Sequence, residues 1–61
     1  MPMVQITMLA GRTVDQKRKI AQRITDVLVE DAGAKREAIM IAFQEVSKES
    51  YSSGGMLIVD K

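Results

Sequence analysis

The chain has 61 residues, 46% of them hydrophobic but only 3% aromatic, with no cysteine, no histidine and a formal net charge of +1. These values exclude a disulfide framework, a Cys/His metal site and the strongly basic surface that nucleic acid or an acidic membrane requires. They fit a single domain over residues 1–61 that needs outside help, because a chain this short hides only about 60% of its unfolded surface. With no disulfide or metal in prospect, oligomerisation is the remaining source of stability, and apolar side chains should be covered by neighbouring subunits. No apolar run approaches the ~20 residues of a membrane span. No charged-then-apolar leader opens the sequence, so the expected location is the cytoplasm.

Met3 to Leu9 (MVQITML) reads as a strand, with Val4, Ile6 and Met8 on one face and Met3, Gln5, Thr7 and Leu9 on the other. Ala10-Gly11-Arg12 ends it. Thr13 and Gln16 have the spacing of a capping box. The helix that follows runs over Val14–Ala32, with Ile20, Ile24, Val27 and Leu28 as its apolar stripe and Ala21 and Asp31 at the edges. Gly33 sits where a left-handed cap is wanted. After a loop at 34–37, a second strand is expected over Ala38–Val46, with Ile39, Ile41 and Phe43 alternating against Met40, Ala42 and Gln44.

Strand, helix, strand with a crossover of this length makes the two strands parallel. The fold class is therefore α+β, a β-α-β subunit. One helix covers one sheet face. The other, with Met3, Gln5, Thr7, Met40, Ala42 and Gln44, is left open for a neighbouring subunit. Residues 48–55 (KESYSSGG) are polar and turn-rich, with Gly54-Gly55 as a turn needing positive φ. The short apolar run Met56 to Val59 could pair as a strand with another subunit.

The usual nucleophiles and neutral-pH bases are missing, which directs attention to the start of the chain. Removal of Met1 leaves Pro2 with a free secondary amine. Retention of Met1 makes the same nitrogen a tertiary amide that accepts no proton. An α-amine has an unperturbed pKa of about 7.7–8.0, nearer neutrality than any side chain here, and burial or a nearby cation lowers it. The second candidate is the Gly11-Arg12-Thr13 turn. Helix amides and the dipole favour an anion there, and Arg12 adds a planar donor suited to carboxylate. Lys17, Arg18, Lys19 and Arg23 crowd the first half of the helix and Asp26, Glu30 and Asp31 the second, against the macrodipole. An anionic substrate would explain that polarity, although Lys19 and Arg23 read more simply as a solvated face. Glu45 and Glu49 read as solvent-facing.

Pro2, Leu9, Gly11-Arg12, the helix start Asp15-Gln16-Lys17 and Gly54-Gly55, in a chain near sixty residues, together resemble the 4-oxalocrotonate tautomerase family over essentially the whole length. The resemblance implies a β-α-β subunit with a short carboxy-terminal hairpin, assembled as a homohexamer (a trimer of dimers). It implies a tautomerase that interconverts enol and keto forms of unsaturated 2-hydroxy/2-oxo acids such as 2-hydroxymuconate, as in aromatic catabolism, with no cofactor and no metal. Pro2 would be the catalytic base and acid. Arg12 would hold a substrate carboxylate, and Leu9 and Tyr51, the latter where the family usually has phenylalanine, would line the pocket. The partner would be a small anionic enol or keto acid.

One position departs from the family. An ungapped alignment from Pro2 puts Met40 where well-studied members carry a substrate-binding arginine from a neighbouring subunit. Methionine offers no bidentate contact, and Arg36, about 13 Å earlier along an extended strand, does not take its place. Two other readings therefore stand beside the first. One is a paralogue with another activity, such as haloacrylate hydration-dehalogenation or promiscuous tautomerisation. The other is a non-catalytic oligomer.

Overall fold

A computed structural model describes residues 2–61. Strand β1 spans Met3–Leu9 and helix α1 spans Val14–Ala32, both over the ranges that the periodicity implies. Thr13 Oγ1 accepts from the Gln16 N–H at 3.1 Å, and Gln16 Oε1 accepts from the Thr13 N–H at 2.9 Å, so the capping box is complete. At the other end Gly33 adopts φ 68° and ψ 19° and its N–H donates to the Leu28 carbonyl. That left-handed cap is open to glycine at little cost.

Strand β2 spans Met40–Val46 and pairs parallel with β1, from Met3 opposite Met40 to Leu9 opposite Val46. It begins two residues later than the alternation suggests. Arg36–Ala38 close a 3-10 turn instead, with the Ala38 N–H donating to Lys35 at 3.0 Å and the Ile39 N–H to Arg36 at 3.2 Å. Local hydrogen bonds there satisfy the backbone before the sheet does. Ile41 and Phe43 share the helix-facing side with Val4, Ile6 and Met8.

The helix stripe is rotated from the expected one. Lys17, Ile20, Ala21, Ile24, Thr25, Leu28 and Val29 are half-buried, whereas Val27 and Asp31 are exposed. Val27 and Val29 lie equally far around the helix from Leu28. The sheet lies on the Val29 side, which periodicity alone does not distinguish.

In the tail, Ser52–Ser53 (β3) and Met56–Leu57 (β4) pair antiparallel with each other. Gly54 and Gly55 at φ 62° and 85° form the two-residue turn, which requires positive φ at both central positions. The Ile58 N–H then donates to the Tyr51 carbonyl at 2.8 Å, and Ile58–Asp60 turn as a 3-10 segment. The family-type carboxy-terminal hairpin is thus present.

No described residue is fully buried. The radius of gyration is 14.7 Å, against about 10.5 Å for a compact domain of this length. The protomer is a slab 43 × 23 × 14 Å, with one α-helix, the β1–β2 sheet and the small β3–β4 hairpin among its described residues. Its outer sheet face carries Met3 and Met40 at 62% and 47% exposure, with a Gln5 Nε2 to Gln44 Oε1 hydrogen bond of 2.8 Å between the strands. Both methionines are on the face expected to lie open.

One strand edge is open as well. The Met40 N–H donates to Pro2 and the Ala10 N–H to Val46, so even-numbered residues of β1 direct their backbone groups at β2. Met3, Gln5, Thr7 and Leu9 direct theirs to the far edge, which no strand among the described residues covers. Such an edge is a template for another strand.

Candidate active site

Pro2 is half-buried at the start of β1. Its carbonyl accepts from the Met40 N–H at 3.0 Å, which couples the first described residue to the first residue of β2. Met3 and Met40, opposite each other in register, give this end of the sheet an apolar outer surface. Pro2 and Met40 are therefore neighbours.

Leu9 and Tyr51 meet at the opposite end. A cavity of about 400 Å³ is lined by Thr7, Met8, Leu9, Val46 and Tyr51, with no charged side chain in its wall. Thr7, Leu9 and Val46 share the outer sheet face. Tyr51, extended at φ −135° and ψ 129°, is held by its carbonyl's bond to Ile58 at the base of the hairpin. Arg12 follows Leu9 by three residues, in the turn where Gly11 takes φ 131°. It is exposed and forms no ion pair with any described residue. An unpaired guanidinium is suited to holding a carboxylate.

The five candidate residues thus fall into two half-sites, Pro2 with Met40 and Leu9 with Arg12 and Tyr51. Seven residues of strand, roughly 23 Å, separate Pro2 from Leu9. Pro2 and Leu9 therefore lie at opposite ends of β1.

Sequence reasoning missed Thr7, Met8 and Val46 as cavity residues. The signal was available for Thr7 and Val46. Thr7 lies two residues before Leu9 on the same face, and Val46 is Leu9's partner once the parallel register is known. Glu45 is exposed, as expected, but also meets Lys17 Nζ, and Arg18 meets Asp15. Two of the four cations in the first half of α1 are thereby neutralised locally. Lys19 and Arg23 remain exposed, as a solvated face does.

The profile of the family described as tautomerase enzyme matches residues 2–61. A probable tautomerase of Bacillus cereus is 41% identical over 61 residues, covering all of both chains. The 2-hydroxymuconate tautomerase of Bacillus subtilis is 37% identical over 60 residues, covering 98% of this chain and 97% of the relative. The crystal structure of YwhB, a homologue of 4-oxalocrotonate tautomerase, matches with a TM-score of 0.93 at 35% identity, covering 98% of each chain. Members of this superfamily are oligomeric and act on small acidic substrates. Matched end to end in sequence and in its β-α-β-hairpin architecture, the chain belongs to the tautomerase family of the 4-oxalocrotonate tautomerase superfamily and is an enzyme of the isomerase class.

Proposed function

We propose that the protein interconverts enol and keto forms of unsaturated 2-hydroxy/2-oxo acids, 2-hydroxymuconate among them, with Pro2 carrying the proton after Met1 is removed. The observation that carries this proposal is the separation of the two half-sites along a strand whose outer edge is unpaired. A second copy running antiparallel along that edge would bring Pro2 of one protomer beside the cavity and Arg12 of the other. A two-fold axis makes two such sites at once.

In each site Arg12 binds the substrate carboxylate through two parallel N–H donors. The uncharged walls formed by Leu9, Val46 and Tyr51 exclude water, which disfavours the protonated amine and keeps Pro2 a free base. The neutral amine takes the enol hydroxyl proton and becomes a secondary ammonium. It then returns that proton to a carbon of the conjugated chain as the C–O bond becomes a carbonyl. Nothing is consumed and no cofactor is needed.

The exposed outer sheet face and the apolar hairpin residues Tyr51, Met56, Leu57 and Val59 support further assembly of dimers into a homohexamer. A cytoplasmic location belongs to the same proposal. No helix among the described residues is long and apolar enough to cross a membrane.

The test pairs intact mass spectrometry with an ultraviolet assay of 2-hydroxymuconate and phenylenolpyruvate ketonisation. Processed protein that accelerates ketonisation, and loses the activity when Met1 is retained, supports the proposal. Equal activity with Met1 retained would rule out the Pro2 amine.

A further inference from the structure

Among the described residues three ion pairs occur, and only one of them ties α1 to the β1–β2 sheet. Asp15–Arg18 runs along the exposed helix surface, and Asp26–Arg36 joins α1 to the 36–38 turn with both side chains more than half exposed. Lys17–Glu45 is different. Its side chains are 24% and 28% exposed, and Glu45 occupies the helix-facing row in which the two preceding members are Ile41 and Phe43. Glu45, exposed as a residue, is the charged member of that row after two apolar ones. Lys17 reaches it from one turn into the helix.

The surroundings of the pair suggest what it does. Glu45 lies opposite Met8 and next to Val46, both of which line the cavity. The Lys17 N–H donates to the Thr13 carbonyl at 3.2 Å, so the first helical turn links the ion pair directly to the cap. On the strand side, the Ala10 N–H donates to the Val46 carbonyl at 2.8 Å. Gly11 and Arg12 are therefore suspended between two anchors that both end at residues 45 and 46 of β2.

We propose that Lys17 and Glu45 are positioning residues that hold the helix start against the end of β2 and so fix the point from which Arg12 reaches a substrate carboxylate. The proposal rests on the carboxylate-binding role given to Arg12 above. A purely electrostatic role, however, makes the opposite prediction for Glu45→Gln, because it would free Lys17 to attract the anion.

The experiment uses the full processed enzyme, with sedimentation and far-ultraviolet circular dichroism confirming assembly of each variant. Steady-state constants for 2-hydroxymuconate are measured for the parent, Glu45→Gln, Lys17→Met and the swap K17E/E45K, each with and without Arg12→Ala. Glu45→Gln and Lys17→Met should each raise KM about three- to tenfold, with kcat within about twofold, the scale of a misaimed binding group. The swap should recover most of the KM. In the Arg12→Ala background the same changes should have no further effect, because residues acting through one group are not additive.

A lower KM in Glu45→Gln overturns positioning, as does an equal rise with and without Arg12. If Arg12→Ala alone leaves KM unchanged, the Arg12 role and the positioning fail together. Backbone ¹⁵N order parameters for Gly11 and Arg12 provide a readout that needs no turnover. They should fall from about 0.85 towards 0.6 in Glu45→Gln, and unchanged values overturn the proposal even if the enzyme proves to act on another acid.

Discussion

The Met40 N–H donates to the Pro2 carbonyl at 3.0 Å, so the residue that opens β2 is hydrogen-bonded to the residue proposed as the base. The bond fixes the backbone of Pro2 and puts a thioether, not a cation, at this end of the sheet. Met40 offers a substrate shape and polarisability but no charge. The carboxylate-binding cation within the proposed composite site is Arg12.

Met40→Arg should therefore raise kcat/KM for 2-hydroxymuconate, whose second carboxylate has no matched charge in the native protein. The gain should approach tenfold or more, since a donor aimed at developing oxyanion charge is worth about 2.7–4 kcal/mol where it has been removed elsewhere. Phenylenolpyruvate, with one carboxylate, should gain less. Arg12→Ala should harm both substrates, chiefly through KM. Strong native preference for the dicarboxylate, unmoved by Met40→Arg, would mean that another residue supplies the second cation.

Pro2→Ala leaves a primary amine in place of a rigid secondary one. The expected loss in kcat is at least about tenfold, and it stays short of the about 10²–10⁴ that a positioned proton-transfer group contributes, because an amine remains. In the parent, kcat/KM should fall as the pH is lowered, because a protonated amine accepts no proton. Stopped activity in protein that retains Met1 should accompany these results. Parent-like kcat in Pro2→Ala would remove any special role for the ring.

The sequence was most legible where local chemistry decides the outcome. Thr13 with Gln16, Gly33, and Gly54 with Gly55 each announce a cap or a turn, and the structure has all three. The alternation in β1 correctly separated the helix-facing Val4, Ile6 and Met8 from the open face of Met3, Gln5 and Thr7. Legibility ended where two local solutions compete. Val27 and Val29 are equivalent on a helical wheel until a sheet chooses between them. Met56–Leu57 pairs with two serines across a glycine turn, which hydrophobicity does not suggest. The Lys17–Glu45 contact spans 28 positions, and charge patterning along one helix does not reveal it.

Assembly follows from the shape of the protomer. A slab 14 Å thick with no fully buried residue among those described has little apolar surface removed from water within one chain. The expected species is a homohexamer of six times 6.8 kDa, and thermal unfolding should shift upward with protein concentration, as for any fold stabilised by its own association. Sedimentation velocity at micromolar concentration measures the first, and calorimetry over a hundredfold dilution series the second. A well-folded monomer with a concentration-independent Tm would contradict both.

Gly33→Ala tests the helix terminus separately from the site. At φ 68° an added Cβ meets no atom within 4 Å, so the substitution creates no clash with neighbours and acts only through the backbone. Left-handed backbone costs a non-glycine residue about 1 kcal/mol. Each subunit should lose roughly that amount, or about 6 kcal/mol for six chains unfolding together, provided the contributions add. Urea unfolding at a fixed protein concentration should detect the lower midpoint. Gly33 lies at the carboxy-terminal end of α1, away from the Arg12 turn and the cavity, so kcat and KM of the assembled variant should stay within about twofold of the parent. An altered KM with unchanged stability would instead mean that the 33–35 connection, which leads into the turn before Met40, sets the geometry of the Pro2 end.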